Sequence, residues 1–289
     1  MGRKIAILFL FIAGISLFFY PIVSHWLKTQ VHYKVMRKYD EEVAKMSEED
    51  RLLQLKKAEE YNEKISSHQK PIEDPFSTEE EPEGVVGYFN VLQIGEAMAQ
   101  IEIPSINVHL PIYHGVSEKV LSRGVGHMSN SSLPIGGLGN HAALTAHRGL
   151  PSTKLFRDLD KVKEGDVFYI HTLGEVLAYE VDQIKIVLPT ETEWLEMNEE
   201  KDYVTLITCE PYMINTHRLL VRGVRVPYTE SEQVVRSSYA LEKQELTSSE
   251  KHIEEPTVPV KQIVIYSMIG VGSLILVVFL FRKRRRPSA

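Results

Sequence analysis

The chain has 289 residues and one cysteine, Cys209, so it has no intramolecular disulfide. A chain outside the cytoplasm usually pairs its cysteines or drops them. A lone thiol ending the β-branched, apolar run Thr205-Leu206-Ile207-Thr208 is therefore either an inert buried residue or a retained nucleophile. Charge is absent from two long stretches. Ile5–Val23 and Ile263–Phe281 each hold 19 uncharged residues. As helices they would be about 28 Å long, enough for the hydrocarbon core of a bilayer. No Ala-x-Ala-like site follows the first stretch, which is read as a retained anchor rather than a cleaved signal peptide. Positive charge is also scarce. The net charge is −6, and seven cations sit at the two ends, leaving the stretch between them near −13. That balance argues against a nucleic-acid partner.

The run Arg282-Lys283-Arg284-Arg285-Arg286 fixes the orientation. Such a cluster stays cytoplasmic, so with two spans both termini are cytoplasmic and residues from about Ser24 to Lys261 lie outside. The chain divides accordingly. Residues 1–24 form an N-terminal span and residues 25–68 a helical membrane-proximal region. There Met36, Tyr39, Val43 and Met46 make one apolar stripe. Ser47 and Asp50 resemble a capping box, which starts a second helix near Glu48. This region is either a solvated stalk or a helical hairpin packed on the main domain. In residues 69–84, Pro71, Pro75 and Pro82 forbid regular helix, so this is a loop. A short helix is predicted over Tyr88–Met98. Residues 229–261 read as a polar tether, and 262–289 as a second span with its basic tail.

Residues 85–228 hold the main domain. Runs at 101–103, 108–110, 141–146, 167–171, 176–187, 203–208 and 219–226 are short and β-branched or aromatic, bounded by Pro, Gly, Asn or Asp. They predict a mainly β fold, a closed barrel or sandwich, with small helices near Ser117 and Lys154. Helices are too few for alternating βαβ units.

Cysteine acts as a nucleophile only as thiolate, so it needs a cation or base nearby. His147 and Arg218 are the candidates. His141 lies six residues before His147, on the same face if that strand is regular. No Asp, Glu or second Cys completes a metal set around them, and no metal is expected. His217 is a rival base, but as the neighbour of Arg218 it points to the opposite face of a strand. Arg222 shares the face of Arg218, and spacing leaves both open as the cation that stabilises an oxyanion.

Three segments carry a resemblance: Thr145-Ala146-His147-Arg148-Gly149, Thr205-Leu206-Ile207-Thr208-Cys209 and Asn215-Thr216-His217-Arg218-Leu219-Leu220-Val221-Arg222-Gly223. They resemble the signatures of the sortase family. Ile101-Glu102-Ile103-Pro104 and Leu110-Pro111-Ile112-Tyr113-His114-Gly115 resemble its opening strands. The two spans and the segment before the barrel resemble the class C, pilus-assembling branch. The resemblance implies a β-barrel of about eight strands with a few short helices, preceded by N-terminal helices and flanked by two transmembrane helices. It implies Cys209 as nucleophile, His147 as general acid/base and Arg218, rather than Arg222, as electrostatic stabiliser. Asp74-Pro75-Phe76 resembles the Asp-Pro-aromatic lid of that branch, with Asp74 pairing with Arg218 and Phe76 covering the thiol.

The implied substrates are pilins or surface proteins with a C-terminal LPxTG-like sorting signal, cleaved between Thr and Gly. The implied acceptor is a lysine amine of a second pilin, and no cofactor is implied. Alternatives are a sortase that anchors proteins to cell-wall peptidoglycan, and a non-enzymatic membrane-tethered binding module with an inert Cys209. One departure stands out. Glu210 follows Cys209 where a small or neutral residue is expected, and a carboxylate there would raise the thiol pKa unless it points to solvent.

Overall fold

The computed structural model describes residues 2–67, 74–76, 87–150, 153–191 and 193–228. The polar tether, the second apolar stretch and most of the 69–84 loop lie outside the described residues.

Eight strands form a closed barrel. They are β1 (Ala99–Ile103), β2 (Val108–His114), β3 (Val125–His127), β4 (His141–Thr145), β5 (Val167–Thr172), β6 (Glu175–Val187), β7 (Tyr203–Glu210) and β8 (His217–Val226). Their order around the barrel is β1-β2-β3-β4-β7-β8-β6-β5. The β2–β3 and β4–β7 pairs are parallel and the other pairs antiparallel. Closure leaves no unpaired strand edge. Seven of the strands fall on the runs read from the sequence. The eighth, β3, is three residues with Gly126 at its centre, too short and too weak in β-branched character to stand out. Gly126 is required there, because a side chain would meet the carbonyl oxygen of Gly115 at 2.4 Å. Inside the barrel Ile101, Ile112, Leu144, Phe168, Tyr179 and Leu206 belong to one buried cluster. Burial of such side chains supplies the main stabilising term, about 1.5–3 kcal/mol each.

Two helices precede the barrel. The first, α1 (Gly2–Lys45), is continuous over 44 residues. Its window Arg3–Tyr20 is long and apolar enough to cross a membrane. Further along, the stripe seen in the sequence packs on the barrel: Met36 and Tyr39 are buried, and Val43 and Met46 lie against the core. The N–H of Leu173 donates to Tyr39 Oη at 3.0 Å, and Gln100 Nε2 donates to Asp40 Oδ1 at 2.6 Å. Burial pushes the Tyr39 phenol up to about 12. Next, α2 (Glu48–Ser67) starts on its cap, the N–H of Asp50 donating to Ser47 Oγ at 3.1 Å. Tyr61 and Asn62 of α2 hold the loop after β3: Tyr61 Oη donates to the Ser129 carbonyl, and Asn62 exchanges hydrogen bonds with the backbone of Leu133. Residues 25–67 are thus part of a helical hairpin packed on the barrel and not a solvated stalk.

The helix predicted over Tyr88–Met98 is not formed. Only a 3₁₀ turn, Tyr88–Asn90, is present. Leu92 and Gly95 take positive φ, 54° and 117°, which breaks helical continuity. The apolar spacing is real, but Tyr88, Leu92, Ile94 and Met98 are buried by an irregular chain folded onto the barrel.

Two buried histidines tie the loops to the barrel. His127 bonds Tyr88 Oη at 2.8 Å and the Ser132 carbonyl at 2.8 Å. His141 bonds Thr205 Oγ1 at 2.7 Å and the Glu196 carbonyl at 2.9 Å. Burial pushes them down to about 3 and about 4 from 6.5. Both are therefore neutral when folded, and the unfolded chain binds more protons as the pH falls. Their contribution is fully present above about pH 6.5 and is lost toward about pH 4. Denaturant titrations of the protein in detergent should show the unfolding midpoint falling between about pH 7 and about pH 5. A midpoint constant across that window would mean that these rings are not buried in the neutral form.

Candidate active site

The register of β7 against β8 builds the site. Cys209 lies directly opposite Arg218, and Glu210 opposite His217. Directly opposed residues share one face of the sheet, with Cβ atoms about 4.5–5.5 Å apart. On the other side of β7, β4 runs parallel, with Thr145 level with Ile207. The chain therefore leaves β4 at the height of Cys209 and delivers His147 there. Thr208 Oγ1 fixes that exit by donating to the Ala146 carbonyl at 2.7 Å. His147 lies beyond the end of β4, so strand alternation does not place it with His141. His141 is buried at the other end of the strand and takes no part in the site.

Arg218 is held tightly. Its Nε donates to Asp74 Oδ1 at 2.6 Å and its Nη2 to Asp74 Oδ2 at 2.7 Å. Nη1 donates to the carbonyls of Asn215 and His217, each at 2.9 Å. Four of about five N–H donors of the guanidinium are thus occupied. The pair is buried, with side-chain exposures of 9% and 6%. Beside it the Phe76 ring centre lies 5.1 Å from the Arg218 guanidinium carbon and 5.8 Å from the His147 ring centre. Phe76 thus touches both His147 and Arg218, Asp74 binds Arg218 beside it, and Cys209 is 6% exposed.

The Cys209 thiol is pushed up, first by burial and then by the Asp74 carboxylate, while Arg218 and Arg148 pull it down. Glu210 does not point to solvent. It faces Arg148, which also holds Asp160 Oδ2 at 3.0 Å. The expected effect of Glu210 on the thiol is therefore replaced by an ion pair. Its members follow His147 and Cys209 directly in the chain, so it ties the exits of β4 and β7 together.

Arg222 sits four residues further along β8, opposite Thr205 and about 13 Å from Arg218. It donates to both oxygens of Asp182, at 3.0 and 2.7 Å, and stacks over Tyr203 at 4.3 Å. His217 Nδ1 meets its neighbour Thr216 Oγ1 at 2.9 Å, on the side of β8 away from the thiol.

Two contacts of the site had no strong sequence signal. The short helix α3 (Glu118–Leu121) places Glu118 Oε2 3.1 Å from His147 Nε2. Nothing in the local pattern marks Glu118, which is one of many surface carboxylates. Arg148 stands in the motif around His147, but that motif does not mark its partners Asp160 and Glu210.

A thiol opposite a guanidinium, with an imidazole at the neighbouring strand exit, is an arrangement suited to acyl transfer through cysteine. A family model of the sortase domain matches residues 101–226. Among solved structures, sortase C-1 of Streptococcus pneumoniae is 47% identical, with a TM-score of 0.64, the match covering 68% of this chain and 100% of that one. Sortase C-1 of Actinomyces oris is 44% identical with a TM-score of 0.60, covering 62% and 99%. Sortase A of Bacillus anthracis is 31% identical over 128 residues, a match spanning 44% of this chain and 59% of that protein. The chain belongs to the sortase family, in its class C branch. Sortases are cysteine transpeptidases.

The Arg148–Glu210 contact gives a direct test. Glu210→Ala leaves a buried guanidinium with Asp160 alone, which should cost about 1–3 kcal/mol of stability. Thermal or denaturant unfolding would measure it. An unchanged midpoint would mean that Glu210 is solvated and leaves Arg148 alone.

Proposed function

We propose that this protein is a membrane-anchored transpeptidase that assembles pili. Its Cys209 thiolate attacks the Thr–Gly carbonyl of an LPxTG-like sorting signal on a pilin or surface protein. Arg218 stabilises the oxyanion, and His147 protonates the departing glycine amine. The thioester between Cys209 and the threonine carbonyl is then attacked by a lysine amine of a second pilin. An isopeptide bond forms, the thiolate leaves, and the surplus proton of the amine passes to His147. A thioester favours an amine over water when the site is kept dry. The observation that carries the reading is the opposed Cys209–Arg218 pair, with His147 at the adjacent strand exit and Asp74 and Phe76 laid across them. The likeness to class C structures supports the pilin as acceptor substrate.

Incubating the full chain in detergent with candidate pilins should give a ladder of covalent multimers on a denaturing gel. Cys209→Ala should abolish the ladder without loss of fold, because a thiol-to-methyl change costs little packing. His147→Ala and Arg218→Ala should each lose most activity, by about 100-fold or more. Arg222→Ala should lose far less, since its partners are Asp182 and Tyr203. Equal losses for Arg218→Ala and Arg222→Ala would overturn the assignment of the stabilising cation. Products linked to a peptidoglycan-precursor amine, with no pilin multimers, would favour the wall-anchoring alternative.

Asp74-Pro75-Phe76 acts as a lid in this reading. The Asp74–Arg218 pair that would hold it closed is buried and bidentate. Removing Asp74 takes away a charge that raises the thiol pKa and leaves Arg218, which lowers it. The pH profile of Cys209 alkylation should therefore move to lower pH in Asp74→Ala, and labelling near neutral pH should speed up. Phe76→Ala should speed labelling by uncovering the thiol. Both variants should hydrolyse a sorting-signal peptide faster while still polymerising. Wild-type labelling rates in both variants would mean that these residues do not cover the thiol.

A further inference from the structure

We infer that the Cys209 end of the barrel faces the membrane, and that Tyr212-Met213-Ile214 touches the outer leaflet. This rests on reading the N-terminal part of α1 as a membrane span, and it adds an orientation and a contact surface to that reading.

The direction of α1 along the barrel carries the inference. Near its C-terminal end, α1 contacts the turn between β5 and β6. Tyr39 Oη accepts from the N–H of Leu173, and a side chain at Gly174 would lie 3.4 Å from Val43 Cγ1. That turn is at the end of the barrel away from the thiol. It precedes β6, and β6 pairs with β8 so that Val187, its last residue, is the one opposite Arg218. Some 15 residues earlier in α1, Lys28 Nζ donates to the Ser122 carbonyl at 3.2 Å. Ser122 caps α3, and α3 carries Glu118 beside His147. The helix thus runs from the far end of the barrel to the catalytic end as it is followed toward its N-terminus.

Between Lys28 and Tyr20, where the apolar window ends, α1 is unbroken. Eight helical residues rise about 12 Å. The helix therefore enters the bilayer on the side of the thiol, a short distance beyond it. The far end of the barrel is held away from the lipid.

The surface at the catalytic end matches this placement. In the loop between β7 and β8, Tyr212, Met213 and Ile214 are three consecutive exposed apolar residues, and Met213 is 79% exposed. The loop is at the catalytic end, because it joins Glu210 to His217, and a side chain at Gly149 would meet Tyr212 Cε2 at 3.3 Å. Met213 holds φ at 65°, a left-handed conformation that is costly for a methionine and that fixes where its side chain projects. Three adjacent apolar side chains including a tyrosine suit a water–lipid interface. The opposite end has a different character. There Leu138 is exposed in a lining whose charged residues are Glu59, Glu63, Glu199, Glu200 and Asp202 with Lys201 and Arg225, an acidic excess that an anionic leaflet would repel.

The test uses the full chain, with Cys209→Ala, reconstituted in phosphatidylglycerol-containing vesicles. One cysteine is introduced at an exposed site, Met213→Cys or Leu138→Cys, and labelled with a polarity-sensitive fluorophore. Quenching is read with lipids brominated near the headgroup end of their acyl chains. The expected result is several-fold stronger quenching, and a blue-shifted emission, at 213 relative to 138. Equal quenching at both sites, or stronger quenching at 138, would overturn the orientation. Co-flotation with the vesicles is scored in the same samples. Chain that floats but is not quenched at 213 overturns this inference alone. Chain that does not float overturns the membrane span and this inference with it.

Discussion

The antiparallel register between β7 and β8 is the constraint on which the site depends. It sets Cys209 across from Arg218, and a slip of one residue would turn one of the two to the other face of the sheet. The register is held from both sides. Strand β8 also pairs with β6 through Val187, and β7 pairs with β4, whose exit carries His147. A closed barrel has no free edge to slide along, so the thiol, the guanidinium and the imidazole come from three segments whose relative positions the hydrogen-bonded sheet fixes. The Arg148–Glu210 pair adds a side-chain tie at the same level.

Electrostatics at the thiol follow from that placement. Burial favours the neutral thiol, and Arg218 opposes it. Asp74 binds the same guanidinium on two donors, so it removes much of the cation's effect and takes up the donors that an oxyanion would need. In the proposed lid reading, occlusion and electrostatic quieting would be one event, since displacing Asp74 would free donors of Arg218 and remove a charge that raises the thiol pKa. Phe76 extends the same contact to His147.

The two N-terminal helices serve the barrel in different ways. The later turns of α1 are bound to β1 and to the β5–β6 turn through Asp40, Gln100, Tyr39 and Leu173. From α2, Asn62 and Tyr61 fix the loop between β3 and β4, where His127 is buried with Tyr88. Because α1 is continuous from its apolar window to these contacts, any tilt of the barrel must be a tilt of the helix as well.

Local sequence determined the elements whose signals are short-range. The β-branched runs gave seven of the strands, Ser47 and Asp50 marked the start of α2, and the stripe from Met36 to Met46 marked the face of α1 that packs. The motifs around His147, Cys209 and Arg218 carried the family resemblance, and Asp74-Pro75-Phe76 was legible only through it. Tertiary structure alone decided the rest. Spacing left both Arg218 and Arg222 open, because residues four apart share a strand face. The family resemblance singled out Arg218, and the partner strands show the physical difference, setting Cys209 opposite Arg218 and Asp182 against Arg222. The run from Tyr88 to Met98 has helical spacing, yet the barrel surface buries those side chains without a helix, since burial rewards apolar contact whatever the backbone conformation. Glu118 and Glu210 reach His147 and Arg148 across large sequence separations, and no local pattern encodes which of many carboxylates the fold will bring to a given cation or imidazole.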